Sequence, residues 1–248
     1  MSDSLGFRQL FGVVAPSTNT SVQPEYEAMA PPGVTNHFSR IIIPDTKVAD
    51  DKSFMEMLDN IRDAMQDAID AIMTCSPDHL IIAMSAESFW DGKGGGEKMK
   101  QDIESRAGVG VTMGSEACMA AIKAYGGIKR IAVITPYMPV ADRNVVKFFQ
   151  DHGIEVRRIK GLRCSSPRLI AHVSKEELRD AVIEVDGDDV DAIVQAGTNL
   201  AMMEVAATAE FWLGKPVIAI NTATYWHALR AVGIRDSIYG LGRLLTEH

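Results

Sequence analysis

Short runs of apolar, β-branched residues recur along the chain, each followed by a longer stretch whose apolar positions return every three or four residues. The short runs are LFGVV (10–14), FSRIII (38–43), HLIIAM (79–84), GVGVTM (108–113), RIAVIT (130–135), GIEVRRI (153–159), DAIVQA (191–196) and KPVIAI (215–220). Strands separated by helix-length segments mark βαβ units, so the pattern predicts an α/β fold with largely parallel sheets.

The second half rehearses the first. GVVAPSTNT (12–20) resembles AVITPYMPV (132–140), aligning Pro16 with Pro136. HLIIAMSAES (79–88) resembles DAIVQAGTNL (191–200), aligning Met84 with Ala196 and Ser85 with Gly197. GVTMGSEACMAAIKAYGGI (110–128) resembles VIAINTATYWHALRAVGI (217–234), aligning Gly114 and Ser115 with Asn221 and Thr222. The expectation is two pseudo-symmetric α/β lobes, each a mainly parallel sheet flanked by helices: residues 1–115 plus 222–248 in the first, 116–221 in the second. Open α/β sheets bind ligands beyond the carboxyl ends of their strands. Six loops, beginning near Pro16, Ser85, Gly114, Pro136, Gly197 and Asn221, are therefore expected to converge on one interlobe cleft.

Composition narrows the partners. The chain has 248 residues, 46% of them hydrophobic, with a mean hydropathy near zero, enough to bury a sizeable core. A net charge of −8 and a pI near 5.3, with no basic run able to neutralise successive phosphates, argue against a nucleic-acid or membrane-surface binder. A small molecule is the expected partner. No apolar run approaches the ~18 residues of a spanning helix, and MSDSLGFRQLFGVV lacks a basic segment leading into a long apolar one, so a cytoplasmic location is expected. Cys75, Cys118 and Cys164 show no CxxC spacing and the histidines no HxH or HExxH pair, so neither a disulfide framework nor a metal site is expected. No GxGxxG or GxxxxGK[ST] loop occurs, which disfavours a nucleotide cofactor. The glycine-rich DGKGGGEK (91–98) reads as a mobile lid beside the cleft.

The loops carry the candidate chemistry. In PSTNT (16–20), Pro16 fixes a turn, and Thr18 and Asn19 either cap the following helix or hold a carboxylate at its free N–H groups. In MSAESF (84–89), Ser85 and Glu87 either cap and charge a helix start, or act on substrate. In the second case Ser85 donates to a substrate oxygen and Glu87, partly desolvated by Phe89 and Trp90, exchanges protons. Tyr137 occupies the loop position of Ser17 in the repeat, opposite Asn19, where its hydroxyl can reach substrate. Gly197, Thr198 and Asn199 offer close backbone approach and polar side chains, suited to an oxyanion cradle or a helix cap. Cys118 reads as a buried small hydrophobe, and Cys75 lies at the opposite edge of the sheet.

VAPSTNT, TPYMPV, AMSAESFW, QAGTNL and the closing GLGRLL together resemble the aspartate/glutamate racemase superfamily, in its maleate cis-trans isomerase and arylmalonate decarboxylase branch. The resemblance runs in order over nearly the whole chain. It implies two pseudo-symmetric lobes, no metal or organic cofactor, a homo-oligomer, and a small substrate whose carboxylate is gripped by hydroxyl, amide and backbone donors. It puts the carboxylate-binding asparagine at Asn19, the substrate-binding tyrosine at Tyr137 and the hydroxyl donor at Ser85. It also implies cysteine at one or both symmetric strand ends, where this chain has Met84 and Ala196. A thioether and a methyl group carry no exchangeable proton, so thiol chemistry is unavailable there and Glu87 becomes the expected acid or base. The expected activity is a cofactor-independent isomerase or lyase on a small unsaturated or activated carboxylate. The alternatives are a hydrolase or hydratase using Glu87-activated water on an enamide, lactam or alkene acid, and a non-catalytic carboxylate-binding protein.

Overall fold

The computed structural model describes residues 3–90 and 92–248. Its strands form two four-stranded parallel sheets. The first has β1 (Gln9–Pro16), β2 (Val34–Ile41), β3 (His79–Ile82) and β4 (Gly110–Met113) in the order β2-β1-β3-β4. The second has β5 (Arg130–Thr135), β6 (Glu155–Gly161), β7 (Ala192–Gln195) and β8 (Val217–Ala219) in the order β6-β5-β7-β8. The same order twice is the structural form of the internal repeat. Helices on both faces leave the inner strands no polar side, which is why β1, β3 and β7 read as unbroken apolar runs rather than alternating ones.

The helices are α1 (Val22–Met29), α2 (Asp51–Met73), α3 (Gly92–Ala107), α4 (Gly114–Tyr125), α5 (Pro139–Asp151), α6 (Lys175–Val185), α7 (Met203–Leu213), α8 (Ile220–Ala231) and α9 (Arg243–Glu247). Asp50 starts α2 by accepting from Ser53 N at 2.8 Å in a reciprocal capping box. Its buried Phe54, Leu58, Ile61, Met65, Ile69 and Ile72 keep the three-to-four spacing of one inward face. A continuous core runs from the first sheet through α4 and α8 to the near side of the second, while a smaller one lies beneath α6 and α7. The stretch expected to be a mobile lid differs: Gly92 onward forms the first turns of α3, and Asp91 lies outside the described residues. Gly96 sits close over Ser88, where its missing side chain lets the helix approach the strand-end turn.

Register refines the repeat. Val14 pairs with Ile82 in the first sheet, and Ile134 with Gln195 in the second. One residue on, Ala83 N donates to Val14 O at 2.8 Å and Ala196 N to Ile134 O at 2.9 Å. With Pro16 equivalent to Pro136, Ala83 answers to Ala196, Met84 to Gly197 and Ser85 to Thr198. This corrects the alignment of Met84 with Ala196 and of Ser85 with Gly197. The two apolar runs match in character at either register, and only the ladder hydrogen bonds separate them.

Candidate active site

The turns after β1 and β3 face those after β5 and β7 across a cavity of about 60 Å³. Pro16, Thr18, Asn19, Ser85, Tyr137, Gly197, Thr198 and Asn199 all line it, so the structure brings together every expected site residue except Glu87.

Four polar side chains, two from each half of the repeat, form a connected network. Ser85 Oγ stands 2.5 Å from Tyr137 OH and accepts from Thr198 N at 3.1 Å. Thr198 Oγ1 accepts from Asn19 Nδ2 at 3.1 Å and donates to Ala83 O at 3.3 Å. Asn19, Ser85, Tyr137 and Thr198 are all buried. Two hydroxyls that share one hydrogen bond leave one O–H proton over, so the Ser85 and Tyr137 pair can donate to a ligand oxygen whichever of them donates to the other. Burial pushes the Tyr137 phenol well above its ordinary range, which keeps it protonated and a donor.

The Asn19 amide caps the helix and also spans the cavity's two sides. Its Oδ1 accepts from Ser21 N at 3.1 Å and Val22 N at 3.0 Å, starting α1, while its Nδ2 crosses to Thr198. Asn199 is different. Its Oδ1 accepts from Thr20 N at 2.9 Å and its Nδ2 donates to Pro167 O at 2.9 Å, so its side chain staples loops and its backbone is what it offers the cavity. Among the described residues the N–H groups of Gly197 and Asn199 have no acceptor. Two arginines at corresponding edge-strand ends brace this wall. Arg40 donates to Asn19 O at 3.0 Å, and Arg163 donates to Tyr137 O and reaches the buried Asp142 at 2.5 Å.

Glu87 requires a correction. The chain passes from Ala86 into a 3-10 turn (Glu87–Phe89), which carries the Glu87 side chain away from Ser85 toward α2. There its Oε2 accepts from Arg62 Nε at 3.0 Å, in a separate depression shared with Trp90 and Lys98. Gly114 and Asn221 also fall short of the cavity. Gly114 packs against Ile220, Ser115 lines another hollow with Lys100 and His152, and Asn221 lies behind the Thr198 turn.

The lining also includes the apolar Ile43, Met57, Ile61, Met84, Ala86 and Ile170. Ile43 and Ile170 come from the two loops that follow the edge strands. Met57 and Ile61 were missed by sequence reasoning, because the period of α2 identifies its inward face without saying that part of it borders a cavity. No lysine, arginine or histidine is among the residues lining the cavity, so an anion there meets neutral donors only.

A family model described as arylmalonate decarboxylase matches residues 11–245. The chain belongs to the arylmalonate decarboxylase family. Within reach of that family, maleate isomerase of Alcaligenes faecalis is 22% identical over 245 residues, 95% of either chain. Arylmalonate decarboxylase of Bordetella bronchiseptica is 24% identical over 163 residues, 64% of this chain and 68% of that one. The structure of Nocardia farcinica maleate cis-trans isomerase bound to TRIS has the same fold, with a TM-score of 0.87 at 21% identity over 96% of this chain and 98% of that one. The arylmalonate decarboxylase family thus accounts for both sheets and the turns between them.

Proposed function

We propose that the protein is a cofactor-independent enzyme of the lyase and isomerase kind, acting on a small carboxylate through an enediolate. The observation that carries this reading is the buried donor group formed by the Ser85 and Tyr137 hydroxyls 2.5 Å apart, in a cavity otherwise rich in apolar lining residues. Charge that develops on carboxylate oxygens is best stabilised by fixed, water-excluded dipoles, which need no reorganisation during the reaction. The cavity of about 60 Å³ has to widen before an acid the size of maleate or a substituted malonate enters it. Polar donors together with apolar lining residues favour a substrate that pairs carboxylate with an apolar substituent, such as a substituted malonate, over one charged at both ends.

For such a malonate, the bond to the departing carboxylate breaks and its electron pair passes into the remaining carboxylate, giving CO2 and an enediolate. Ser85, Tyr137 and the Gly197–Asn199 backbone hold the enediolate oxygens, with Asn19 and Thr198 fixing the donors. The α carbon then takes a proton. Met84 and its structural partner Gly197 carry none, and the Tyr137 proton serves the oxygens, so solvent water is the proposed source. A product whose α carbon becomes stereogenic should therefore form without strong preference for either hand.

The test is incubation of the purified protein with phenylmalonate, methylphenylmalonate and maleate, followed by proton NMR and chiral chromatography. Loss of CO2 from either malonate, or conversion of maleate to fumarate, supports the reading. Binding of all three with turnover of none would sink it. That result would favour a carboxylate-binding protein, a second reading supported by the lack of any thiol or carboxylate among the cavity residues.

A further inference from the structure

Behind the Thr198 turn lies a buried carboxylate that touches no cavity residue directly. Glu25, on α1, accepts from Asn221 Nδ2 at 2.6 Å and from Met203 N, at the start of α7, at 3.0 Å. The same Asn221 Nδ2 donates to Thr198 O at 2.9 Å. The orientation of the Asn221 amide is therefore dictated by two oxygens on one side, since the flipped amide would set Oδ1 against both. Thr198 O and Asn199 N belong to a single planar peptide. Fixing and polarising its carbonyl also fixes the direction, and raises the donor strength, of its N–H.

We infer that Glu25 is a positioning residue for this site, acting through Asn221 to aim the Asn199 N–H at the ligand oxygen. The link from Glu25 to the peptide stands on its own geometry, whereas the role of that N–H in catalysis rests on the enediolate reading above. Carboxylates are rarely buried without cause, and this one links α1, which follows the Asn19 turn, to the opposite half of the repeat. Burial raises its pKa to about 7, opposed by the hydrogen bonds from Asn221 and Met203. The ionised form can accept from both donors, and loses acceptor capacity when protonated. The titratable groups facing it are Glu204 on α7 and Tyr26 beside it on α1.

The test follows the backbone amides of Met203 and Asn199 and the side-chain amide of Asn221 by 15N-edited NMR of the full chain across neutral pH. All three resonances should move together in the wild type, with one shared midpoint, and the step should vanish in Glu25→Gln. In Asn221→Ala, Met203 should still report the titration while Asn199 falls silent. This second variant decides the matter even if Glu25→Gln does not fold. An Asn199 amide that does not titrate with Met203, or that still follows it in Asn221→Ala, overturns the inference. Kinetics form the second arm: with phenylmalonate, Glu25→Gln should lower kcat roughly tenfold or more with KM little changed, and Glu25→Asp should recover part of the loss. An equal loss in KM alone would also overturn the positioning role. If the wild type turns over none of the three acids while the NMR link holds, it is the enediolate reading that fails.

Discussion

Ser85 and Tyr137 have two hydroxyl protons and spend only one between them, so removing either oxygen should be felt at the ligand. Tyr137→Phe and Ser85→Ala should each lower kcat on a turned-over acid about 100-fold, the loss expected for one oxyanion donor. A fall confined to KM would assign them to ground-state binding instead. Gly197 is constrained in another way. Its φ of +131° is reached readily by glycine alone, and a Cβ there would stand 2.5 Å from Cδ of Pro136. Gly197→Ala should therefore destabilise the fold by roughly 2 kcal/mol, measurable by urea unfolding, because strain and contact fall on the same atom. An unchanged midpoint would mean that the turn can shift. At this scale the sequence showed which residues stand at strand ends but not what each side chain does there. The amide of Asn199 bonds to Thr20 and Pro167, partners 179 and 32 residues away, and no local pattern encodes such a meeting.

Elements decide where side chains point. From its place five residues beyond the end of β3, Glu87 reads as an acid or base, yet a single 3-10 turn gives it to Arg62 on α2. There it ties α2 to that turn through one hydrogen bond. Glu87→Gln should consequently leave kcat within about threefold while lowering the melting temperature, since it weakens a partly buried charge-assisted hydrogen bond. A loss of activity comparable to that of Tyr137→Phe would return Glu87 to the chemistry. The repeat was legible because βαβ units impose the same apolar rhythm on both halves. Its register was not, because Gln195 falls opposite an apolar residue at either register, Ala83 or Ile82, and only ladder hydrogen bonds between distant strands separate the two. The glycines of 92–96 were ambiguous for a related reason: they favour mobility in isolation, and only the fold shows that Gly96 packs over Ser88.

At the scale of the whole molecule, the halves of the repeat are tied by polar bonds around the cavity. Asn19 reaches Thr198, Asn199 reaches Thr20, and Asp51 accepts from Val140 N at 2.9 Å and Arg143 at 2.8 Å. Glu25 is the most deeply buried charge in this belt, and it should leave a signature in global stability. Its folded pKa is raised from 4.5 to about 7, so between those values the folded state holds a proton that the unfolded chain has released. Stability from this group is full at low pH and falls as pH rises through the window, by roughly 3 kcal/mol. His79 acts in the opposite sense. Burial lowers its pKa from 6.5 to about 4, so the unfolded chain binds the extra proton and stability rises with pH over much the same range. Burial lowers the His227 pKa as well, so the rising contributions of the two histidines mask the falling one of Glu25 in the wild-type profile. Glu25→Gln removes only the falling one. Urea unfolding of the variant should show stability climbing between about pH 4.5 and 7 relative to the wild type, by roughly 3 kcal/mol. Parallel profiles for the two proteins would mean that Glu25 keeps an ordinary carboxylate pKa, with its two hydrogen bonds offsetting the cost of burial.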